Sequence, residues 1–499
     1  MIPISRSRCV LAALLVVLVA ASTWVWARSS ANIALTRVAV LTVDTSQLGS
    51  EFAPGTVGIS TEASELETDH LRAGHPSLVR LMRMLGPSVL RIGGNSVDVS
   101  WWTSSGESAP GWATNTVTPV DLSVLHDLLA ATGWRVLLGV DLGHFEPVRA
   151  ADEVRYAREI LGTDLIGVEI GNEPDDFGHQ QVKLRPSGYG ISEYLREAEA
   201  YVQALTAAAP GVAIYGPALT QDSQWLIQMG DGASMFAELT KHYYPTSGCP
   251  GTPTSSREPP PTAAGLLSPV VRQREDDALA ALARTGTIVG RPTRIGETNS
   301  VACGGSASAS PVFASALWSL DWALRAAQSG VNGLNFHAVF GPCGSHSYSP
   351  ICAPNSRAAA TGDVLPQPEY YGLLAASRLE GGRFVPTSLS AAESPPNLTS
   401  WATVAPGGTV RIAIDNLNTA GVAQPVDIPM SGYTATVMRL VGAAAGARRG
   451  ITLGAAQVTS KGQWRPRSTS LLRRGHSFHI VVPATSAVII TLSRAEQHR

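Results

Sequence analysis

The chain has 499 residues, of which 44% are hydrophobic and 15% charged, with a formal net charge of −2. That length exceeds one simple core, and that balance belongs to a globular chain rather than a disordered one. Lysine occurs only at Lys183, Lys241 and Lys461 and the arginines are scattered, so no basic stripe marks a nucleic-acid or polysulfated partner.

The N-terminus reads as an address. MIPISRSR carries Arg6 and Arg8, and the almost wholly apolar run that follows closes on Val25 and Ala27. This is the layout of a secretory signal, and the run is also long enough to span a bilayer. Residues 1–27 are therefore expected to be a signal peptide or a membrane anchor, with the body secreted or held at the cell envelope. Beyond Cys9 the cysteines are Cys249, Cys303, Cys343 and Cys352. An even number in an oxidising compartment points to disulfides. Of the three pairings, the expected one joins Cys343 to Cys352 across a short loop, and Cys249 to Cys303. No CxxC or HxxxH spacing occurs, and neither a metal nor a cofactor is expected.

From about residue 55 to 380 two patterns alternate. Short apolar runs occur at 56–60, 88–94, 134–143, 165–171, 212–217, 239–245, 293–297 and 331–337. They are rich in Val, Ile and Leu without clean alternation, as strands buried on both faces are. Segments with helical periodicity lie between them at 75–85, 120–133, 191–209 and 311–330. Gly133, Gly162, Gly211, Gly286 and Gly330 stand where left-handed helix caps fall. Eight strands alternating with helices predict a (β/α)8 TIM barrel over residues 50–380. After 380 the chain is β-rich and broken by Gly, Pro and Ser, which predicts a smaller antiparallel β-sandwich at 381–499. The β-like segment 33–44 is expected to join it, so that 33–47 belongs to that domain. Residues 249–265 read as a long loop after the sixth strand.

Two carboxylates follow strands of this barrel. VEIGNEPDD (168–176) puts Glu173 just past the fourth strand, and TRIGETNS (293–300) puts Glu297 at the end of the seventh. C-terminal strand ends form the mouth of a barrel, and two carboxylates facing across one pocket are what glycoside hydrolysis needs. A carbohydrate-binding protein without turnover and a tethered envelope protein are the alternatives from other classes, and the paired glutamates count against the first. No phosphate loop, HExxH or GxSxG elbow is present.

RIGGNSVD (91–98), IGNEPD (170–175), KHYYP (241–245) and GETNSVACGG (296–305) together resemble glycoside hydrolase family 79, the heparanase/β-glucuronidase family of a retaining barrel clan. The resemblance spans the barrel and the small β-domain. It implies that Glu173 is the acid/base and Glu297 the nucleophile, with a β-glycoside, possibly a uronic acid-containing glycan, as substrate. It also implies that Asn172 bonds the sugar 2-hydroxyl, that Tyr243 donates to Glu297, and that Glu62 contacts sugar hydroxyls. Of Asn95 and Asp98, one is expected to line the pocket and the other to support the backbone. Tyr244 is read as packing, Trp101 and Trp102 as core or rim, and Arg91 as a brace beneath the carboxylates. Ala302 departs from the family, which carries a tyrosine before the glycines. The Gly304 and Gly305 amides remain for an anion, and Tyr348 is expected to supply the phenol. An exo-acting β-glucuronidase is the implied activity, with a neutral-sugar β-glycosidase as the alternative.

Overall fold

A computed structural model of the chain describes residues 38–179, 183–220, 224–250, 258–344, 346–390 and 397–495. The expected signal or anchor at 1–27, the start of the expected strand at 33–44 and part of the long loop at 249–265 lie outside these residues. Among the described residues no helix is long and apolar enough to cross a membrane.

Eight parallel strands close into a barrel: β1 (Val57–Glu62), β2 (Val89–Gly93), β3 (Arg135–Val140), β4 (Leu165–Ile170), β5 (Ile214–Leu219), β6 (Glu238–Tyr243), β7 (Thr293–Thr298) and β8 (Gly333–Ala338). Each pairs with its neighbours in sequence, and β8 closes on β1. Their residues are almost all buried, because helices cover the outside and side chains fill the inside. That double burial is why the apolar runs lack alternation.

The principal helices are α1 (Pro76–Leu85), α2 (Pro119–Thr132), α3 (Pro147–Leu161), α4 (Ile191–Ala208), α5 (Pro269–Val289), α6 (Phe313–Ser329) and α7 (Pro368–Ala376). Helix α2 opens on a capping box between Thr118 and Asp121 and ends on left-handed Gly133. Three helices, α3, α5 and α7, lie outside the segments read as helical. In α3 six of the fifteen residues are charged, which breaks up its apolar stripe. Gly286 lies inside α5, and the left-handed cap is Gly290 at φ 69°. Helix α7 is wholly buried beside α6, where a Cβ on Gly372 would meet the Ala316 carbonyl oxygen at 2.1 Å, so only glycine allows this approach.

The second domain is two sheets. One runs Thr387–Ser390, Ala39–Val43, Gln424–Pro429, Ser477–Val482 and Arg473–Arg474. Ala39–Val43 pairs antiparallel with Thr387–Ser390 and parallel with Gln424–Pro429, so this sheet is not purely antiparallel. The other holds eight strands, among them Val410–Asn416 and Ser486–Arg494. Glu51–Phe52 pairs with Gly382–Val385 in it, so the barrel begins later than residue 50. Ile412 and Ile414 face the sandwich core while Ala413 joins the barrel's core, and Val488 and Ile489 divide in the same way. One sheet thus serves two cores, and the barrel and sandwich share a continuous apolar seam.

Candidate active site

The turn after β4 is built to lift one carboxylate. Gly171 takes φ 74°, and a Cβ there would press on Leu142 at 2.7 Å. Glu173 itself sits at φ 51°, a left-handed conformation that a non-glycine residue adopts at a cost. The turn is held to the end of β5: the Glu173 amide donates to the Ala218 carbonyl (2.9 Å), and Asp175 accepts from the Thr220 amide (3.0 Å) and hydroxyl (2.6 Å). Pro174 then starts a 3-10 turn that leads the chain away.

Glu297 is aimed by a bulge. Lys241 lies opposite Ile295 and His242 opposite Glu297, so Gly296 is skipped in the β6–β7 register. One carboxylate oxygen accepts from Tyr244 Oη at 2.8 Å, and the other from Arg91 Nη1 at 3.1 Å with His337 Nδ1 at 3.4 Å. Burial works to raise its pKa, but His337, His242 and Arg91 and the Tyr244 hydroxyl outweigh it and hold the carboxyl well below its ordinary range.

Arg91 lies under both acids and is fully buried. Its Nε donates to Glu169 (2.6 Å), Nη1 to Ser60 (3.0 Å) and Glu297, and Nη2 to Asn172 Oδ1 (3.0 Å), with His242 Nε2 at 3.2 Å. A guanidinium only donates, so His242 Nε2 accepts and the ring proton rests on Nδ1. Nδ1 lies 2.8 Å from Glu173 Oε1 and donates to it.

One oxygen of Glu173, one of Glu297 and a ring nitrogen of His242 lie within 4.8 Å of one another. The distances would admit a metal ion, but the chemistry does not fit one. Nδ1 carries the proton that faces Glu173, and Arg91 prevents its transfer to Nε2 while adding a positive charge at the site.

The remaining expected residues divide. Asn172 is buried, accepting from Arg91 and donating to Asn95 Oδ1 at 3.1 Å. Asn95 is exposed at the mouth. Asp98 is buried and accepts from the amides of Leu142, Gly143 and Asn172, so it ties its own segment to the loops after β3 and β4. Burial and Asp141 push its pKa up to about 7. Glu62 accepts from the Ser96 amide (2.8 Å) and hydroxyl (2.6 Å) and lies 3.3 Å from His337 Nε2. Both expected disulfides form, Cys249–Cys303 and Cys343–Cys352. Beside the first, the Gly304 carbonyl accepts from the Ser347 amide at 2.8 Å, and a Cβ on Gly305 would strike the Ser347 hydroxyl. Tyr348 is buried, 6.4 Å from Tyr244 ring to ring. Trp101 and Trp102 are packed inside.

One assignment is corrected. Tyr243 does not reach Glu297: it packs on Trp322 of α6 at 5.0 Å, and its hydroxyl has no hydrogen-bond partner among the described residues. Tyr244 makes the bond. Alternation puts His242 and Tyr244 on the inner side and Tyr243 on the outer. Sequence reasoning also missed His242 and His337; the period of two, counted inward from Tyr244, would have found the first.

No protein-family model and no curated protein matches the sequence. Solved structures match it in fold. A 4-O-α-L-rhamnosyl-β-D-glucuronidase from Fusarium oxysporum superposes with TM-score 0.71 at 19% identity, over 90% of this chain and 98% of that one. The GH51 arabinofuranosidase of Xanthomonas axonopodis pv. citri gives 0.66 at 15% identity, over 91% of this chain and 100% of that one. CelM2, a bifunctional glucanase-xylanase from a metagenome library, gives 0.61 at 12% identity, over 92% and 99%.

Proposed function

We propose that this protein is a retaining β-glycoside hydrolase and, more finely, an exo-acting β-glucuronidase. The observation that carries the reading is the approach of the two carboxylates, with one oxygen of each inside 4.8 Å. Retaining enzymes hold their carboxyl groups about 5–5.5 Å apart, and inverting ones about 6.5–9.5 Å to admit a water between them. The barrels of similar fold support a carbohydrate substrate, and the one named as a glucuronidase supports the finer reading.

In this reading Glu297, held ionised, attacks the anomeric carbon while Glu173 protonates the leaving oxygen. Water then attacks the anomeric carbon while Glu173 takes its proton, and the glycosyl ester breaks to return Glu297 as a carboxylate. The His242 N–H fixes the Glu173 carboxyl at Oε1. Asn172, already braced by Arg91 and Asn95, presents its amide to the 2-hydroxyl. A neutral-sugar specificity is the second reading, favoured by Ala302 where family 79 has a tyrosine.

The testing experiment is release of nitrophenol from aryl β-glucuronide, glucoside, galactoside and xyloside. A preference for the glucuronide supports the finer reading, a neutral-sugar preference replaces it, and no turnover of any overturns the hydrolase. Glu173→Ala is expected to lose activity on poor leaving groups and to regain it with azide on an activated aryl glycoside, the product being a glycosyl azide. Failure of azide to restore turnover removes the acid/base role. Tyr244→Phe is expected to lower kcat about 10- to 100-fold, the worth of one hydrogen bond to a charge. It also moves the acid limb of the kcat/KM profile to higher pH, because Glu297 loses a donor. Tyr243→Phe leaves both unchanged, and an equal loss in the two variants overturns the inner and outer assignment.

A further inference from the structure

The wall of the site beyond Glu297 is the loop that follows β8. Its base is fastened by the Cys343–Cys352 bridge and by the Cys343 amide donating to the Ala353 carbonyl at 2.9 Å. Its middle is fastened to Gly304 through Ser347, and Gly304 adjoins disulfide-bonded Cys303. The Val339 amide donates to the Ser349 hydroxyl at 2.9 Å. Near His337 and Tyr348 this loop presents the side chain of His346.

The His346 ring lies 6.4 Å from that of His337 and 5.6 Å from that of Tyr348. Its Nδ1 is buried and has no hydrogen-bond partner among the described residues. The other two imidazoles of the site are committed, His242 to Glu173 and Arg91, and His337 to Ser60, Glu62 and Glu297. A buried ring nitrogen without a partner is unfavourable, and a polar atom of a ligand at the mouth of the barrel would relieve it.

We infer that His346 is a specificity-determining residue that meets the substituent on ring carbon 5 of the sugar. That substituent is a carboxylate in a uronic acid, a hydroxymethyl in a hexose and a hydrogen in a pentose. The inference rests on the glycosidase reading and deepens it. With the anomeric carbon over Glu297 and the 2-hydroxyl at Asn172, the carbon-5 substituent lies across the ring oxygen from Asn172, toward the wall formed by Gly304 and His346.

The charge of this residue adds a second consequence. Burial and the neighbouring His337 charge both push His346 below its ordinary pKa, so at neutral pH the ring is uncharged and suits a hydroxyl. On acidification it becomes a cation and suits a carboxylate. The charged and titratable groups facing it are His337, Glu62, Glu297, Glu65 and Tyr348. Glu62 and Glu297 are held low and His337 is held high, so these three keep their charges on mild acidification while His346 changes. A uronate, an acid of the α-carboxyl kind, stays ionised above about pH 4.

The test measures kcat/KM for aryl glucuronide, glucoside and xyloside from about pH 7 to about pH 5. In the wild type the glucuronide-to-glucoside ratio is expected to rise about tenfold or more on acidification, the size of one charge-assisted hydrogen bond. His346→Asn, which keeps a polar atom but cannot titrate, is expected to flatten that rise. His346→Ala is expected to lose about tenfold on the two substituted sugars, mainly in KM, and to leave the xyloside unchanged. An equal loss on all three sugars, or a ratio that ignores pH in the wild type, overturns the assignment. If wild type turns over no glycoside, the hydrolase reading fails instead, which is a separate result.

Discussion

Glu297→Gln is expected to lower kcat on an activated aryl glycoside by about 10⁴-fold or more, with the circular dichroism and thermal midpoint of a folded protein. The amide keeps the shape of the carboxylate: its oxygen can still accept from Arg91 Nη1, and its NH2 can donate to the Tyr244 oxygen in place of the bond that Glu297 accepts there. It cannot form the glycosyl ester. The surroundings show why the carboxylate form matters: the neighbouring cations and the phenol hold Glu297 ionised against its burial. A variant rate within tenfold of wild type removes Glu297 from the nucleophile's position, and the reaction class would go with it.

Arg91→Met is expected to destabilise the chain by about 3–5 kcal/mol, read as a fall in the denaturation midpoint. The guanidinium is fully buried and joins Ser60, Glu169, Asn172, Glu297 and His242. Glu169 is fully buried as well, and its Oε1 already lacks a partner among the described residues. Removing the arginine strands that carboxylate in a low dielectric, and pairing the change with Glu169→Gln is expected to restore part of the loss. Arg91→Lys keeps the charge but gives up the planar fork, so it should retain more stability than activity. A midpoint unchanged by Arg91→Met would mean that the network contributes little to the fold.

The barrel was legible because parallel strands buried on two faces leave uninterrupted apolar runs, and all eight fall on strands of the structure. Helix α3 was not, because six charged side chains among its fifteen residues interrupt the apolar stripe. Glu173 and Glu297 were legible as acids directly after such runs. The partner of Glu297 was not, because choosing between Tyr243 and Tyr244 is a matter of one residue, and a one-residue shift moves every side chain to the other face. The bulge between Lys241 and His242 is a local feature that no periodicity announces. Arg91 could be placed beneath the acids, but its link to His242 depends on two strands meeting across the barrel's interior. Nothing in a linear pattern carries that.

The strand Ala39–Val43 lies between Thr387–Ser390 and Gln424–Pro429. During synthesis it leaves the ribosome long before either partner exists. Val40 and Ser390 are 350 residues apart, which at about 5–20 residues per second is roughly 17–70 s of translation. The barrel can close in that interval, but the sandwich cannot. The strand must wait unpaired, with an apolar face and open backbone groups, until the last quarter of the chain arrives. Both apolar positions that it later buries, Ala39 and Leu41, are exposed to other chains meanwhile. The order of manufacture leaves this short strand open to misassembly for that whole interval.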